Sequence, residues 1–332
     1  MNKVFIAGGT GFIGYHSALL FKSLNYEVVS FTLKENVNNL DTSFMKLYVG
    51  NLFEMEEKEI IDIFISEKPD IFIYALGPDE RVIPKAPAWN FFYEKLVIQA
   101  KKICMAAKKA NIAKCVVLNS YFSYFDRLYN NKLSKTHQYI KARVYQEKEI
   151  LKLKDDNFSV VFLELPYIFG TINNQTPLWK DSFLAPFDNY KSIMFPGKGG
   201  TAVIDISGVA QAVVAAAIYG ENGKCYPINS DNLSFEKIIK LMLDAKKDSR
   251  KYKRIPIFFA YLFGKHLDKK LKKEGKEAGL NHAKLMYQIQ SKKFYLDPKK
   301  TQEDLSFSKL GFDGGKDIKD SIYETIKKCY FN

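Results

Sequence analysis

Apolar residues in this chain fall into two patterns. Short, mainly apolar runs occupy residues 4–7, 27–31, 45–49, 70–75, 114–119, 159–165, 203–206 and 225–229. Runs of this length without polar alternation mark strands buried on both faces, as in a parallel sheet. Between them, apolar residues recur at helical spacing over 12–24, 58–67, 89–111, 137–154 and 209–219, and again near the end over 318–330. Ser234 is a good N-cap for a further helix through Ala245. Strand and helix alternate, which predicts an α/β fold with a doubly wound parallel sheet. Residues 171–201 are rich in Pro, Gly, Trp and Phe and show no clear period.

The first strand runs into Gly8-Gly9-Thr10-Gly11-Phe12-Ile13-Gly14, and a helical pattern leaves it. Strand, tight glycine turn and helix are the context a dinucleotide fingerprint requires. Glycines permit a close backbone approach to a pyrophosphate, and the new helix turns its free N–H groups toward that anion. Gly8, Thr10, Gly11, Phe12, Ile13 and Gly14 are therefore candidate cofactor contacts. The second strand should end in a carboxylate for the ribose 2′-hydroxyl of NAD. Thr32 stands there instead, followed by Lys34, so a 2′-phosphate meets no repulsion and the balance tips from NAD toward NADP.

The spacing Gly8, Gly11, Gly14 resembles the extended short-chain dehydrogenase/reductase family, in its atypical, NAD-dependent epimerase/dehydratase-like branch, with Ala7 where that turn usually has Thr. Further matches run along the chain: Gly50-Asn51-Leu52, Ala75-Leu76-Gly77, Ser120, and Pro166-Tyr167-Ile168-Phe169-Gly170. The resemblance implies a Rossmann-type domain over 1–170, with 202–230 returning to it, and a smaller C-terminal substrate domain from 171–201 and 231–332. It implies cofactor contacts at Asn51, Leu52, Ala75, Leu76, Gly77, Asn119, Tyr139, Arg143, Pro166, Tyr167 and Ile168. It also implies a homodimer paired through the two long helices.

The family's catalytic set is Ser, Tyr and Lys. Ser120 matches the Ser, and Tyr139 matches the Tyr within Tyr139-Ile140-Lys141-Ala142-Arg143-Val144-Tyr145-Gln146-Glu147. Arg143 stands in the Lys position. Three true Tyr-x-x-x-Lys patterns exist (Tyr261/Lys265, Tyr295/Lys299, Tyr323/Lys327), but none follows the fifth strand, and chance alone supplies that many. A nearby guanidinium should favour the ionised form of Tyr139 over that of free tyrosine. It lacks the compact geometry of an ammonium. Arg81, Tyr121, Tyr124, Phe169 and Trp179 are candidate substrate contacts, and their aromatic character suits a ring-shaped apolar or sugar-like ligand. Nucleotide-sugar epimerases of the family carry a diphosphate-clamping Arg where this chain has Thr201, so a small carbonyl or alcohol substrate ranks above a UDP-sugar.

Composition adds limits. The chain has 332 residues, 47% of them hydrophobic, enough for one large domain or two smaller ones. No apolar run is long enough to span a membrane, and the glycine turn interrupts the only one near the N-terminus, so no signal peptide is expected. The four cysteines show no paired or metal-ligand spacing and read as reduced thiols in a cytoplasm. Net charge is +13, yet only five of the 50 basic residues are Arg. Charge alone specifies no partner, so nucleic acid is the lesser expectation. Residues 250–276 set basic residues around an apolar stretch, 255–263. Such a segment reads as a membrane-surface helix or, preferably here, as an amphipathic cap over a substrate cleft. Two functions result: an NAD(P)-dependent oxidoreductase or epimerase-like enzyme, and a catalytically degenerate NAD(P)-binding regulator or RNA-associated protein akin to plant stem-loop-binding relatives of the family.

Overall fold

The computed structural model describes residues 2–34, 37, 39–173 and 175–331. Its strands, in chain order, are β1 (Lys3–Ala7), β2 (Glu27–Thr32), β3 (Met45–Val49), β4 (Ile71–Tyr74), β5 (Lys114–Ser120), β6 (Ser159–Leu165), β7 (Tyr167–Phe169), β8 (Ser192–Pro196), β9 (Gly200–Asp205), β10 (Cys225–Pro227), β11 (Asp231–Ser234), β12 (Lys251–Ile255) and β13 (Lys293–Phe294). The helices are α1 (Phe12–Ser23), α2 (Glu57–Glu67), α3 (Ala88–Tyr93), α4 (Gln99–Lys109), α5 (Phe122–Leu128), α6 (Gln138–Leu151), α7 (Ile206–Tyr219), α8 (Phe235–Lys246), α9 (Ile257–Lys273), α10 (His282–Leu285), α11 (Pro298–Asp304) and α12 (Ile318–Tyr330).

Seven strands form one sheet in the order β10-β6-β5-β4-β1-β2-β3, and every pair in it is parallel. Strand order reverses between β1 and β4, which opens a crevice at their C-terminal ends, the place where open α/β sheets bind ligands. Both faces are covered, as an all-parallel sheet requires. On one face Val4, Ile6, Val116 and Val161 pack against α1 and the Ala-rich α7. Phe5, Phe72, Val117 and Phe162 pack on the other against α2 and α4.

A second sheet is built around β9, which pairs antiparallel with β11 and parallel with both β7 and β13. β9 and β11 flank in sequence the returning segment that supplies α7 and β10. β8 and β12 form a separate parallel pair. A third apolar cluster joins Phe169, Leu184, Phe195 and Val203 to α8 and α12.

Most predicted elements stand within two or three residues of their expected limits. The predicted helix over 89–111 is α3 and α4 joined by a π-helical turn, Glu94–Ile98. The predicted strand over 203–206 begins earlier, at Gly200, and Ile206 opens α7 because the Asp205 side chain accepts from Ser207 N–H and caps the helix. Ser234 caps α8 as predicted, accepting from Lys237 N–H. β8 and β11 carried no periodic signal of their own.

Candidate active site

The turn between β1 and α1 is tightly packed. Gly8 has φ +92°, and a β-carbon on it would stand 2.7 Å from the Ala75 carbonyl oxygen. A β-carbon on Gly14 would lie 2.1 Å from the Gly8 carbonyl oxygen, which binds helix to turn. Gly9 is equally constrained, because its β-carbon would strike Ser30, whose hydroxyl accepts from Gly9 N–H at 3.0 Å. That contact was not read from the sequence; the polar Ser30 inside an otherwise apolar strand was its signal. Gly11 differs. A β-carbon there meets one atom, Gly8 O, at 3.2 Å. Packing constrains position 11 less than 8, 9 or 14, since the Gly8 carbonyl would need to give only a few tenths of an ångström, and a pyrophosphate approaching the turn would add the stronger requirement for glycine. Gly11 is also the N-cap of α1 and offers no side-chain cap, which leaves the first-turn N–H groups available to an anion. The turn therefore fits a dinucleotide.

Most of the other predicted cofactor residues lie at or shortly after the C-terminal ends of the strands, on the same edge of the sheet. Phe12 and Ile13 open α1, and Ala75, Leu76 and Gly77 follow β4; Asn119 is the penultimate residue of β5, and Pro166, Tyr167 and Ile168 follow β6. Thr10 and Thr32 join by a short hydroxyl–hydroxyl bond inside the protein, so Thr32 ties the turn to β2 and turns its hydroxyl away from solvent. Lys34 is exposed beyond it. Asn51 accepts from Phe53 N–H and donates to Glu54, and its side chain shapes its own loop; Leu52 is buried in the core beneath.

Tyr139 and Arg143 lie one turn apart on α6, which places them on one face. Arg143 Nε donates to the Tyr139 hydroxyl oxygen at 3.0 Å. Its other nitrogens donate to Gln146 Oε1 (3.0 Å), Leu118 O (3.4 Å) and Pro78 O (3.4 Å). The guanidinium thereby bridges α6, β5 and the loop after β4. Both side chains are buried, Tyr139 at 2% exposure and Arg143 at 8%. The expected ease of ionisation does not hold in this state. Burial dominates over the nearby guanidinium and pushes the Tyr139 phenol up to about 12. Ser120 stands at the end of β5, and its Oγ accepts from Phe122 N–H at 3.3 Å. Among the described residues no hydrogen bond joins Ser120 to Tyr139.

α6 is held in place by charges that the sequence reading passed over. Arg127, on α5, pairs with Glu147 at 2.5 Å and with Glu164 on β6 at 2.7 Å. Asn119 donates to the Arg143 carbonyl oxygen and to Glu147, so it anchors α6. Burial and the neighbouring Glu147 push the Glu164 carboxyl well above its usual range. Glu164 within an apolar strand was the available signal. A C-terminal segment also crosses α6: Tyr139 N–H donates to Gly279 O, and His137 Nδ1 accepts from Asn281 N–H.

Of the predicted substrate residues, Arg81 pairs with Asp79 at the mouth of the site. Burial, then the adjacent Asp79, pushes the Glu80 carboxyl up, and that carboxylate in turn raises the Tyr139 phenol. Tyr121 is buried in an aromatic cluster with Phe125 and Phe294, and its hydroxyl meets Thr201 Oγ1 at 2.8 Å. Phe169 is fully buried and stacks on Trp179 at 4.3 Å, while Trp179 donates to Ile168 O. Those two form a wall of the C-terminal core. Tyr124 and Tyr167 are half-buried.

No curated protein matches the sequence. Several solved structures share the fold across nearly the whole chain. UDP-glucose 4-epimerase from Bifidobacterium longum, in complex with NAD+ and UDP, is 16% identical with a TM-score of 0.68, covering 98% of each chain. WbmH from Bordetella bronchiseptica, in complex with NAD+, is 15% identical with a TM-score of 0.67, over 99% of this chain and 98% of that one. The dTDP-glucose 4,6-dehydratase of Bacillus anthracis str. Ames, in complex with NAD, is 11% identical with a TM-score of 0.67, over 99% and 96%. Residues 4–226, which contain the glycine turn, the crevice and α6, match the NAD dependent epimerase/dehydratase family, and the chain belongs to it.

Proposed function

We propose that the chain is an NAD(P)-dependent oxidoreductase or epimerase-like enzyme acting on a small carbonyl or alcohol substrate. The hydrogen bond from Arg143 Nε to the Tyr139 hydroxyl, buried beside β5 and the loop after β4, carries this reading. Because the guanidinium donates, the phenol oxygen accepts, and the phenol proton stays available to a substrate oxygen. Tyr139 thus acts as acid/base, Arg143 stabilises charge on its oxygen, and Ser120 orients the substrate oxygen. Gly8, Gly11 and Gly14 would hold the pyrophosphate at the start of α1. The nicotinamide, when bound, supplies hydride transfer. NAD accompanies the structural neighbours. An exposed Lys34 and the absence of a carboxylate at Thr32 support NADP for this chain. The buried Thr201, its hydroxyl bonded to Tyr121, supports the lower rank given to a UDP-sugar.

A second reading, dinucleotide binding without turnover, rests on Arg143 in the Lys position, its guanidinium already engaged by Gln146, Leu118 and Pro78, and on the net charge of +13. Its RNA-associated form is weakened by basic residues paired on elements as separate as β1, α4, α8 and α11.

The test is a panel of aldehydes, ketones, alcohols and nucleotide sugars with NAD(H) and NADP(H), followed by cofactor absorbance. Turnover that disappears in Tyr139→Phe, with cofactor affinity unchanged, supports the enzyme. Cofactor binding with no turnover across the panel supports the second reading.

A further inference from the structure

α9 exposes Phe258, Phe259, Leu262 and Phe263, each between 45% and 62% accessible. Among the described residues, no other helix or strand exposes more than one large hydrophobic side chain. The exposure is not a loose fit of the helix. Its inner face is closely seated: a β-carbon on Gly264 would stand 2.7 Å from the His282–Ala283 backbone, and Asp268 accepts from both of those N–H groups. The aromatic side chains therefore occupy the outer face of a fixed helix. Contiguous exposed apolar surface of this kind marks an interaction site.

Charge identifies the occupant. The second half of the same helix carries Lys265, Lys269, Lys270, Lys272 and Lys273, all exposed. Among the described residues none of these ammonium groups has a carboxylate within salt-bridge distance. At the opposite end, Lys198, Arg254 and Lys292 line a cavity of about 520 Å³ together with Ile257 and Tyr287, at the first turn of α9. Arg254 pairs with Glu236 at 2.9 Å, whereas Lys198 and Lys292 are exposed and have no carboxylate partner among the described residues, so cations bracket the apolar patch at both ends. A second copy of the chain docked by two-fold symmetry would set lysine against lysine. An anionic lipid surface satisfies both features: apolar side chains enter the headgroup boundary, and lysines extend to the phosphates. No helix among the described residues is long and apolar enough to cross a membrane, so the contact is interfacial.

We propose that α9 docks this protein onto an anionic lipid surface, with Phe258, Phe259, Leu262 and Phe263 inserted and the lysines of its second half set against the headgroups. The inference is independent of the catalytic reading.

The full chain is tested by flotation with vesicles of phosphatidylcholine alone and of phosphatidylcholine mixed equally with phosphatidylglycerol. It should float with the mixed vesicles, stay in solution with the neutral ones, and detach at high ionic strength. Phe259→Ser/Phe263→Ser should lose flotation, and Lys265→Glu/Lys269→Glu should lower partitioning about tenfold or more. Both pairs are solvent-exposed, and an unchanged melting temperature shows that the variants remain folded. The proposal is overturned by no flotation with mixed vesicles, by equal flotation of the Phe or the Lys variant, or by retention of an RNA oligonucleotide by this face with vesicles ignored. A change in oligomeric state caused by the Phe variant without vesicles would also overturn it in favour of self-association.

Discussion

At the scale of single residues, the pair Tyr139 and Arg143 was legible from position: four residues apart, on the long helix between the fifth and sixth strands, which the short α5 precedes. Its electrostatics were not legible. The notion that a guanidinium eases ionisation of the phenol omits burial, to which Gly279 and Phe92 contribute, and the nearby Glu80 and Asp79 carboxylates, all distant in sequence. Thr32 and Asn51 show the same limit, since their partners, Thr10 and Glu54, decide where the side chains turn. Arg143→Lys keeps the charge beside Tyr139 but gives up the fork that reaches Leu118 and Pro78. On a substrate found by the panel, its turnover should survive or rise. Arg143→Met should lose on the order of 10²-fold, the usual contribution of acid/base support. Cofactor affinity should change less, because the glycine turn holds the pyrophosphate. Equal turnover of the Met variant and the parent would remove Arg143 from catalysis.

At the scale of elements, the strands of the large sheet were readable because continuous apolar runs have one stable use. β8 and β11 were not, because short edge strands are defined by their pairing partners. The C-terminal segment that crosses α6 was equally hidden. His137, at the N-cap of α6, holds that segment: Nδ1 accepts from Asn281 N–H, so Nε2 carries the proton and donates to Gln288 Oε1 at 3.1 Å. Burial lowers its pKa to about 4. A folded-state value below the unfolded one means that the neutral form is favoured on folding. The stabilisation is present above about pH 6.5 and is lost as pH falls toward 4. The full shift corresponds to roughly 3 kcal/mol as an upper bound. Urea unfolding at pH 7 and pH 4.5 should show a drop in stability that shrinks in His137→Gln. An identical drop in the variant would assign the pH dependence to other groups.

At the scale of the whole molecule, the glycine turn, the alternation of strands and helices and the spacing of the motifs indicated the doubly wound sheet, and the sheet assembles its candidate site at the edge those motifs share. Which residues close the site depends on the second sheet and the C-terminal segment, whose order no local pattern encodes. The helical face made by α3, α4 and α6 exposes Ile98 and Tyr145 beside the Trp89–Tyr93–Tyr145 aromatic cluster. Sedimentation at micromolar concentration should give a dimer through this face; a monomer would count against it. The central claim is that the crevice binds a nicotinamide dinucleotide, and calorimetric titration with NAD and NADP tests it most directly. Gly11→Val is the informative variant, because a β-carbon there meets only Gly8 O at 3.2 Å, so its chief effect falls on the approaching pyrophosphate. The parent should bind one cofactor per chain, NADP more tightly than NAD, and the folded variant should lose at least about tenfold in affinity, or about 1.4 kcal/mol. A parent that binds neither dinucleotide, or a folded Gly11→Val that binds as the parent does, would contradict the account.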